Sequence, residues 1–423
     1  MGGDARTRER ATTLIEQQLV RYLHGVRERG PIPVQVALWD GRQVALGDAP
    51  RVEIRLKSPL ASRYLVSPSL DRLGYAYVEG HIDVAGGVRE LIGVAEALAR
   101  DAHGPRGAGR RPSRWRARHT RRADRSAIAY HYDVSNAFYA RWLDPAMVYS
   151  CAYFRHPDDS LAAAQQAKLD HVCRKLRLAP GHALLDIGCG WGALALHAAR
   201  HYGARVTAIT LSDNQHALAR QRVAAAGLSD RVEIRLQDYR DLDGRDAFDR
   251  IASIGMFEHV GLKHLPEYFG AVHRLLRPGG IAMNHGITSA DVDSRAVGLG
   301  AGDFIGRYVF PYGEVPHASL AIRELSAAGL ELVDAESLRR HYAITCARWS
   351  DAFERELPAL TALAGERRTR IWRVYLAGCA HAFAQGWINV YQLLAVKPDA
   401  AGRIDELPMT RDHLYRDAAQ AGR

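Results

Sequence analysis

The sequence lacks the features that would carry it into or across a membrane. No run of roughly 18 apolar residues occurs, so no transmembrane helix is predicted. The opening stretch MGGDARTRER is too charged for a signal peptide, and Arg6 occupies the position where a myristoylation motif needs Ser or Thr. These absences predict a cytoplasmic protein.

Cysteine is scarce, and its spacing excludes two further classes of protein. The five cysteines among 423 residues form no C-x-x-C pair and no metal-ligand spacing. Unpaired cysteines are most often small buried hydrophobic residues. We therefore expect neither disulfides nor a zinc site.

Positive charge, in contrast, is abundant. The formal net charge is +10 and the pI is about 9.5, which favours a polyanionic partner, either nucleic acid or an anionic membrane surface. Between His103 and Arg125, nine arginines accompany one acidic residue, with Gly and Pro early in the stretch. This composition predicts a linker that touches a negatively charged surface, and a solvated surface segment is an equally good interpretation.

The basic stretch divides the chain into four predicted parts: residues 1–102, a linker at 103–125, a larger domain at 126–400 and a C-terminal tail at 401–423. In the first part, VQVALWDGRQVALGDAPRVEIRL alternates apolar and polar residues, and AYVEGHIDVAGGVRELIGVAEALA passes from short strands into an amphipathic helix. This pattern predicts a small α+β domain. In the third part, the strand-like runs HALLDIG, ARVTAITL, RVEIRLQD, FDRIASIG and GGIAMNHGI alternate with helical stretches. Such alternation predicts an α/β domain with a mostly parallel sheet and helices on both faces.

The stretch LLDIGCGWGALALHAA, residues 184–199, carries the clearest ligand-binding signal. A strand passes into a helix through three glycines, where unpaired backbone N–H groups and missing Cβ atoms allow close approach of a ligand. Asp186 would repel a pyrophosphate but suits a cationic ligand such as S-adenosylmethionine. The next strand, ARVTAIT, ends without the acidic residue that would hold the ribose of NAD about 20 residues after the loop. Dinucleotide binding is therefore the weaker hypothesis.

Six stretches, in order along the chain, resemble the cyclopropane-fatty-acyl-phospholipid synthase family, which includes the mycolic acid cyclopropane synthases. They are HYDVSNAFYARWLDPAMVYSCAYF, LLDIGCGWG, ITLSDNQ, LQDYRDL, SIGMFEHVG and YVFPYGEVP, and the resemblance spans residues 130–398. AYVEGHIDV carries a fainter likeness to the smaller domain that precedes the catalytic one in the lipid synthases. The resemblance implies a class I S-adenosylmethionine methyltransferase fold, Rossmann-like, at 126–400, with an accessory lipid-binding domain before it.

The resemblance also implies a reaction. A methylene unit would pass from S-adenosylmethionine to cis double bonds of unsaturated phospholipid acyl chains, through a carbocation that a bound bicarbonate deprotonates to give a cyclopropane. The same cation can instead yield a methyl-branched chain. The implied enzyme is peripheral, at the inner face of an anionic membrane, and whether it forms a homodimer is left open.

The implied site residues fall into two groups. For the cofactor, they are Tyr149, Ser150, Asp186, Gly188, Gly190, Trp191, Gly192, Thr210, Leu211, Gln215, Gln237 and Asp238. For catalysis, the residues that match the family's bicarbonate site are Cys151, Glu258, His285, Ile287 and Tyr342, and Cys379 matches a further cysteine that has been regarded as catalytic.

Each of these residues also has a purely structural interpretation. Glu258 could cap a helix, His285 could be a hydrogen-bonded core histidine, and Cys379 lies in an apolar helical run that burial explains equally well. The sequence departs from the family's pattern at Tyr312 and His317, which leaves acyl specificity open, and VGLGAGDFIG, residues 297–306, predicts a mobile segment over a lipid entrance.

Two other classes of protein are compatible with parts of the sequence. A basic nucleic-acid methyltransferase would share the fold and the charge, but its motifs, N/D-P-P-Y/F after the fourth strand or a Pro-Cys, are absent. A non-catalytic lipid-binding protein would be expected to lose the acidic residue or the loop glycines, and both are present.

Overall fold

The computed structural model describes residues 2–103, 131, 134–294, 298–311, 313–404 and 407–415, with the backbone alone for 2–14 and 101–103. The arginine-rich stretch beyond His103 and Tyr312 both lie outside the described residues, as does the tail beyond Tyr415. The chain forms two compact units. The first comprises Met1–Arg114, Ala296–Pro311 and Phe353–Ala382, and the second comprises Trp115–Arg295, Tyr312–Ala352 and Phe383–Arg423.

The first unit contains a four-stranded sheet in the order β2-β1-β3-β4. Its strands are β1 Val34–Ala37, β2 Gln43–Ala45, β3 Val52–Leu56 and β4 Ile82–Ala85, and its N-terminal helices are α1 Gly2–Arg29, α2 Ser62–Val66, α3 Leu70–Val78 and α4 Val88–His103. The alternation around Asp40–Gly41 gives the antiparallel β1–β2 pair. One expectation is corrected: residues 76–78 of the predicted short strands end helix α3, so that stretch contributes a single strand, β4.

The first unit also takes residues that we had assigned to the larger domain. Helix α10, Ala301–Tyr308, is part of it, and a Cβ on Gly74 of α3 would overlap the ring of Phe304. Tyr308 donates a hydrogen bond to Glu79 over 3.0 Å. These contacts join residues more than two hundred positions apart, and no local pattern signals them.

The second unit contains a seven-stranded sheet in the order β10-β11-β9-β8-β5-β6-β7. The strands are β5 Ala183–Ile187, β6 Arg205–Thr210, β7 Val232–Leu236, β8 Phe248–Ile254, β9 Leu276–Ser289, β10 Glu331–Ser337 and β11 Ile388–Val396. Strand β11 is antiparallel to both of its neighbours, and the remaining pairs are parallel. The five predicted strands and the mostly parallel sheet are confirmed.

Helices cover both faces of this sheet because its central strands are apolar on both sides. Leu184 packs with one core cluster and Leu185 with another, as side chains alternate along β5. The remaining helices of the chain are α5 Asn136–Ala140, α6 Leu161–Lys175, α7 Ala193–Tyr202, α8 Asp213–Ala225, α9 Leu265–Leu275, α11 Ala318–Ala327, α12 Arg339–Arg355, α13 Leu357–Ala364, α14 Glu366–Gln385 and α15 Asp412–Tyr415. Of these, α13 and parts of α12 and α14 belong to the first unit. No helix in the described ranges is long and apolar enough to span a bilayer.

Candidate active site

The glycine loop connects β5 to α7 as predicted, and the backbone conformation of the loop favours glycine. Gly188 and Gly190 have positive φ angles of 82° and 55°, a region that favours glycine. The N–H groups of Gly188 and Cys189 donate to the carbonyl of Ile209, which ties the loop to the end of β6. The loop thereby opens into a cavity of about 140 Å³ at the carboxyl ends of the parallel strands, where such sheets bind their ligands.

Nearly all of the residues that resemblance assigned to the cofactor line this one cavity. They are Tyr149, Ser150, Asp186, Gly188, Gly190, Trp191, Thr210, Leu211, Gln215, Gln237 and Asp238. Gly192 does not line it. A Cβ at Gly192 would meet that of Ala219 at 3.3 Å, so the structure gives this glycine a packing role between α7 and α8.

A buried pair of opposite charges lies at the cavity, and sequence reasoning found only one of the two. Asp186 is buried, its Oδ2 has no hydrogen-bond partner among the described residues, and burial raises its pKa to about 7. Lys168 of α6 also lines the cavity, and its Nζ donates to the hydroxyl of Ser150 over 2.9 Å. Burial lowers the pKa of Lys168 to about 8. The sequence signal that could have revealed it is a lysine on the apolar face of a helix.

Other cavity residues are held by local hydrogen bonds. The Thr210 hydroxyl donates to Oε1 of Gln215 over 2.8 Å, and the N–H of Gln215 is capped by Ser212. The carboxylate of Asp238 pairs with Arg240 at 2.7 Å. Gln215 is therefore part of the N-terminal cap of α8 and also lines the cavity.

Glu258 lies in a short 3-10 helix, Phe257–His259, after β8. Its Oε1 accepts a hydrogen bond from the N–H of Ile287 over 2.7 Å, while its Oε2 is buried with no partner in the described part of the chain. Burial raises the pKa of Glu258 to about 7. An unpartnered buried carboxylate oxygen costs about 1–3 kcal/mol or more unless a ligand supplies the partner, so this atom indicates a binding site.

His285 lies two residues before Ile287 on β9. The imidazole is therefore on the strand whose Ile287 N–H binds Glu258. Nε2 of His285 is buried and, within the described ranges, unpartnered. Burial, together with the charges of Lys168 and Lys175, lowers the pKa of His285 to about 3, so the ring is neutral.

Tyr342 and Cys151 complete the predicted catalytic set. Burial raises the pKa of the Tyr342 hydroxyl well above its usual value, and the nearby Cys151 and Glu258 add to the effect. Burial likewise raises the pKa of the Cys151 thiol. Both groups therefore stay protonated and can donate hydrogen bonds. The carbonyl of Leu338 accepts from the Cys151 thiol over 3.8 Å and from the N–H of Tyr342 over 2.9 Å, which links these two residues.

Gly286, between His285 and Ile287, was not singled out by sequence reasoning. A Cβ at this position would overlap the ring of Phe257, which is almost completely buried. The missing side chain lets Phe257 pack directly on β9. This contact positions the adjacent Glu258 against the N–H of Ile287.

An aromatic cluster extends from the cavity to Tyr342. Tyr149 lies 5.1 Å from Trp349, and Trp349 lies 5.9 Å from Tyr342, measured between ring centroids. Tyr139 contacts Trp191 of the glycine loop at 5.0 Å. Aromatic faces carry partial negative charge, so this surface suits a positively charged group.

Two further residues named from the sequence are Cys379, predicted as catalytic, and His317, a departure from the family's pattern. Cys379 is on α14 in the first unit, and burial raises the pKa of its thiol to about 12, which leaves it protonated. His317 caps α11 through its Nδ1, which accepts from the N–H of Ser319 over 3.2 Å. This is the hydrogen bond that a serine at the same position would make.

The sheet order, the glycine loop and the cavity at the strand ends together define a class I methyltransferase fold. The chain belongs to the mycolic acid cyclopropane synthetase family, whose sequence model matches residues 119–393. A separate family, a domain of unknown function, matches residues 22–102 within the first unit.

Individual relatives agree with this assignment. A probable fatty acid methyltransferase of Pseudomonas putida is 52% identical over 391 residues, which cover 91% of this chain and 97% of the relative. The cyclopropane-fatty-acyl-phospholipid synthase of Escherichia coli (strain K12) is 41% identical over 62% of this chain and 66% of its own. The crystal structure of mycolic acid cyclopropane synthase CmaA1 complexed with SAH and CTAB matches with a TM-score of 0.61 at 36% identity, over 64% of this chain and 98% of that one.

Proposed function

We propose that this enzyme transfers a methylene unit from S-adenosylmethionine to cis double bonds in the acyl chains of phospholipids and forms cyclopropane rings. The observation that carries the proposal is the pair of buried atoms without partners, Oε2 of Glu258 and Nε2 of His285, in a family whose members include cyclopropane synthases. We propose that these two atoms face one buried position, where a carboxylate and a neutral imidazole suit a small anion that carries a proton, and bicarbonate is such an anion.

The cavity residues fit S-adenosylmethionine. Asp186 offers a buried carboxylate oxygen without a partner, and the glycine loop leaves room for a ligand against the backbone. When bound, S-adenosylmethionine supplies an electrophilic methyl group on a cationic sulfur. The chain's own contribution is to hold this positive charge with Asp186 and to exclude water with Tyr149 and Trp191.

Methyl transfer to an alkene leaves a carbocation on the acyl chain, and ring closure then requires loss of a proton from the new methyl carbon. The aromatic cluster around Trp349 stabilises the positive charge through its π faces. A bicarbonate ion held by Glu258, His285 and Tyr342 would supply the base for this proton. The net change in the lipid is the gain of one CH₂ with loss of the double bond, and one proton is released to solvent.

Glu258 and bicarbonate would repel each other if both presented only negative oxygens in a dry pocket. Because the N–H of Ile287 occupies Oε1, Oε2 is left to accept a hydrogen bond from the O–H group that such an ion carries. His285 and Tyr342, both neutral, could donate hydrogen bonds to it, and the ion would supply the base.

The site of action that we propose is the cytoplasmic face of an anionic membrane. The arginines of residues 103–125, which lie outside the described residues, would each contribute about 1 kcal/mol of attraction near such a surface. Salt should weaken this attraction because exposed charges are screened.

Replacing Glu258 with Gln tests the proposed base. The Ile287 N–H fixes the amide oxygen at the Oε1 position, so the amide N–H₂ would point at the anion and could no longer accept its proton. We expect turnover to fall about a hundredfold or more, with the Kd of the cofactor nearly unchanged, because the base loses the residue that positions it. Depleting carbonate should slow the native enzyme, and adding it back should restore the rate.

The matched control is Glu267→Gln on α9, where the side chain is exposed and the turnover should not change. Normal turnover of Glu258→Gln in carbonate-free buffer would refute both the base and the residue that holds it.

A further inference from the structure

A row of buried polar side chains crosses three adjacent strands beside the active site. In the strand registers, His285 of β9 pairs with Gln392 of β11, and Gln392 pairs with Glu336 of β10. Paired residues of antiparallel strands project from the same face of a sheet. His285 and Gln392 are buried, and Glu336 is largely buried. Such a row is costly unless its members are hydrogen-bonded, so its internal bonds are informative.

Glu336 and the basic side chains of helix α6 near this row each have a hydrogen-bond or ion-pair partner. Helix α6 contributes Lys168, His171 and Lys175, which share one helix face by their spacing. His171 lies 2.8 Å and Lys175 2.6 Å from Oε2 of Glu336. Lys168 donates to Ser150 instead. The carboxylate and the three side chains of α6 therefore have partners of their own, and the hydrogen bond that remains to be explained is the one between Gln392 and His285.

With the Gln392 amide oriented as it is here, that hydrogen bond points to where the imidazole carries its proton. Nε2 of Gln392 lies 3.2 Å from Nδ1 of His285. An amide nitrogen only donates, so Nδ1 accepts. His285 is neutral and has a single ring proton, which must then be on Nε2. This is the buried nitrogen that has no partner among the described residues.

We propose that Gln392 is a positioning residue that holds His285 as the Nε2–H tautomer and fixes its ring orientation, so that the imidazole presents a donor to the bound anion. A ring turned over, or in the other tautomer, would set a lone pair against the anion. The identity of the anion rests on the proposed function, whereas the tautomer of His285 does not.

The direct test is nitrogen NMR of the full-length protein labelled with ¹⁵N-histidine, without cofactor or lipid. The His285 signals are assigned by their loss in His285→Asn. We expect Nε2 to give the shift of a protonated nitrogen and Nδ1 that of an unprotonated acceptor, with no titration between pH 6 and pH 8. A protonated Nδ1, or a ring that exchanges between both tautomers, would overturn the proposal whatever the reaction is.

The second measurement uses Gln392→Met, which keeps the length of the side chain and removes the donor. We expect about a tenfold lower turnover, by analogy with residues that orient ligating histidines, and a higher carbonate concentration for half-maximal rate. The Kd of the cofactor should be unchanged. Loss of activity without a shift in carbonate dependence would indicate a merely structural role and refute positioning.

The control on the same strand is Asn389→Ala. Its side chain bonds to Ser337 and to the neighbouring backbone N–H rather than to the site, so carbonate dependence should stay native. If the native enzyme itself shows no carbonate dependence, the proposed base fails, and the NMR result alone decides the role of Gln392.

Discussion

Asp186 is a buried carboxylate whose pKa of about 7 makes it the residue most sensitive to the arrival of a cation. In the free protein, burial favours its protonated form. A cationic cofactor favours the ionised form, so binding at pH values below about 7 must release a proton. Lys168, with its pKa near 8, adds to this proton release, because its neutral form does not repel the cationic cofactor.

We therefore predict that the cofactor binds more weakly as pH falls, with a severalfold rise in Kd from pH 8 to pH 6. Calorimetry in buffers of different ionisation enthalpy would show net proton release at pH 6. Asp186→Asn should weaken binding about tenfold or more, since a charged hydrogen-bond partner is lost, and should flatten the pH dependence. Equal affinity of the native protein at both pH values would contradict the role of Asp186.

Gly190 tests whether the loop itself contacts the cofactor. Its φ of 55° is accessible to alanine at a cost of roughly 1–2 kcal/mol, and a Cβ there would meet no protein atom within 4 Å. Gly190→Ala should therefore fold but lose at least tenfold in cofactor affinity, because the Cβ occupies ligand space. Gly227→Ala, with φ of 66° and equally open surroundings outside the cavity, controls for the backbone cost. Equal affinities in the two variants would remove the loop from the site.

At the scale of elements, the contact between Phe257 and β9 positions Glu258. Gly286→Ala would push the Phe257 ring away, with a loss of stability of about 1–3 kcal/mol. We expect turnover to fall more than cofactor affinity, because the 3-10 helix that carries Glu258 must move. Thermal unfolding and kinetics of the purified variant measure the two effects.

Gly270→Ala, within helix α9, is the matched control for that substitution. A Cβ there contacts nothing within 4 Å, so it should stabilise the helix by about 0.5–1 kcal/mol and leave turnover native. A Gly286→Ala variant with native turnover would show that the position of Glu258 does not depend on Phe257.

The elements that the sequence predicts well are those specified by local pattern. Strand β5, the glycine loop and α7 follow from an apolar run, three glycines and a helical period within sixteen residues. Strands β10 and β11 were not predicted, because ELVDAES is polar and INVYQLLAV follows a long helix without a clear turn. The hydrogen bond from Gln392 to His285 depends on that missed strand and on a register of residues 107 positions apart.

At the scale of the whole molecule, the sequence predicted the two folds but not the division of the chain between them. Residues 353–382 belong to the first unit, where Arg370 pairs with Asp83 at 2.7 Å and Arg373 donates to the hydroxyl of Tyr77 over 2.9 Å. Their helical period is the same as that of helices in the second unit. Only the partners of these two arginines, which are distant in sequence, show that the segment belongs to the first unit and not to the second.

We propose that this enzyme adds a CH₂ unit to unsaturated phospholipid chains, and mass spectrometry of lipids from a host expressing it is the decisive experiment. A host expressing Glu258→Gln at equal level is the control. We predict that mono-unsaturated chains gain one CH₂ and no longer take up hydrogen under mild catalytic hydrogenation, as expected for a cyclopropane. Products with a methyl branch would instead retain a double bond or gain two further hydrogens. Unchanged lipids alongside methylated RNA would contradict the account.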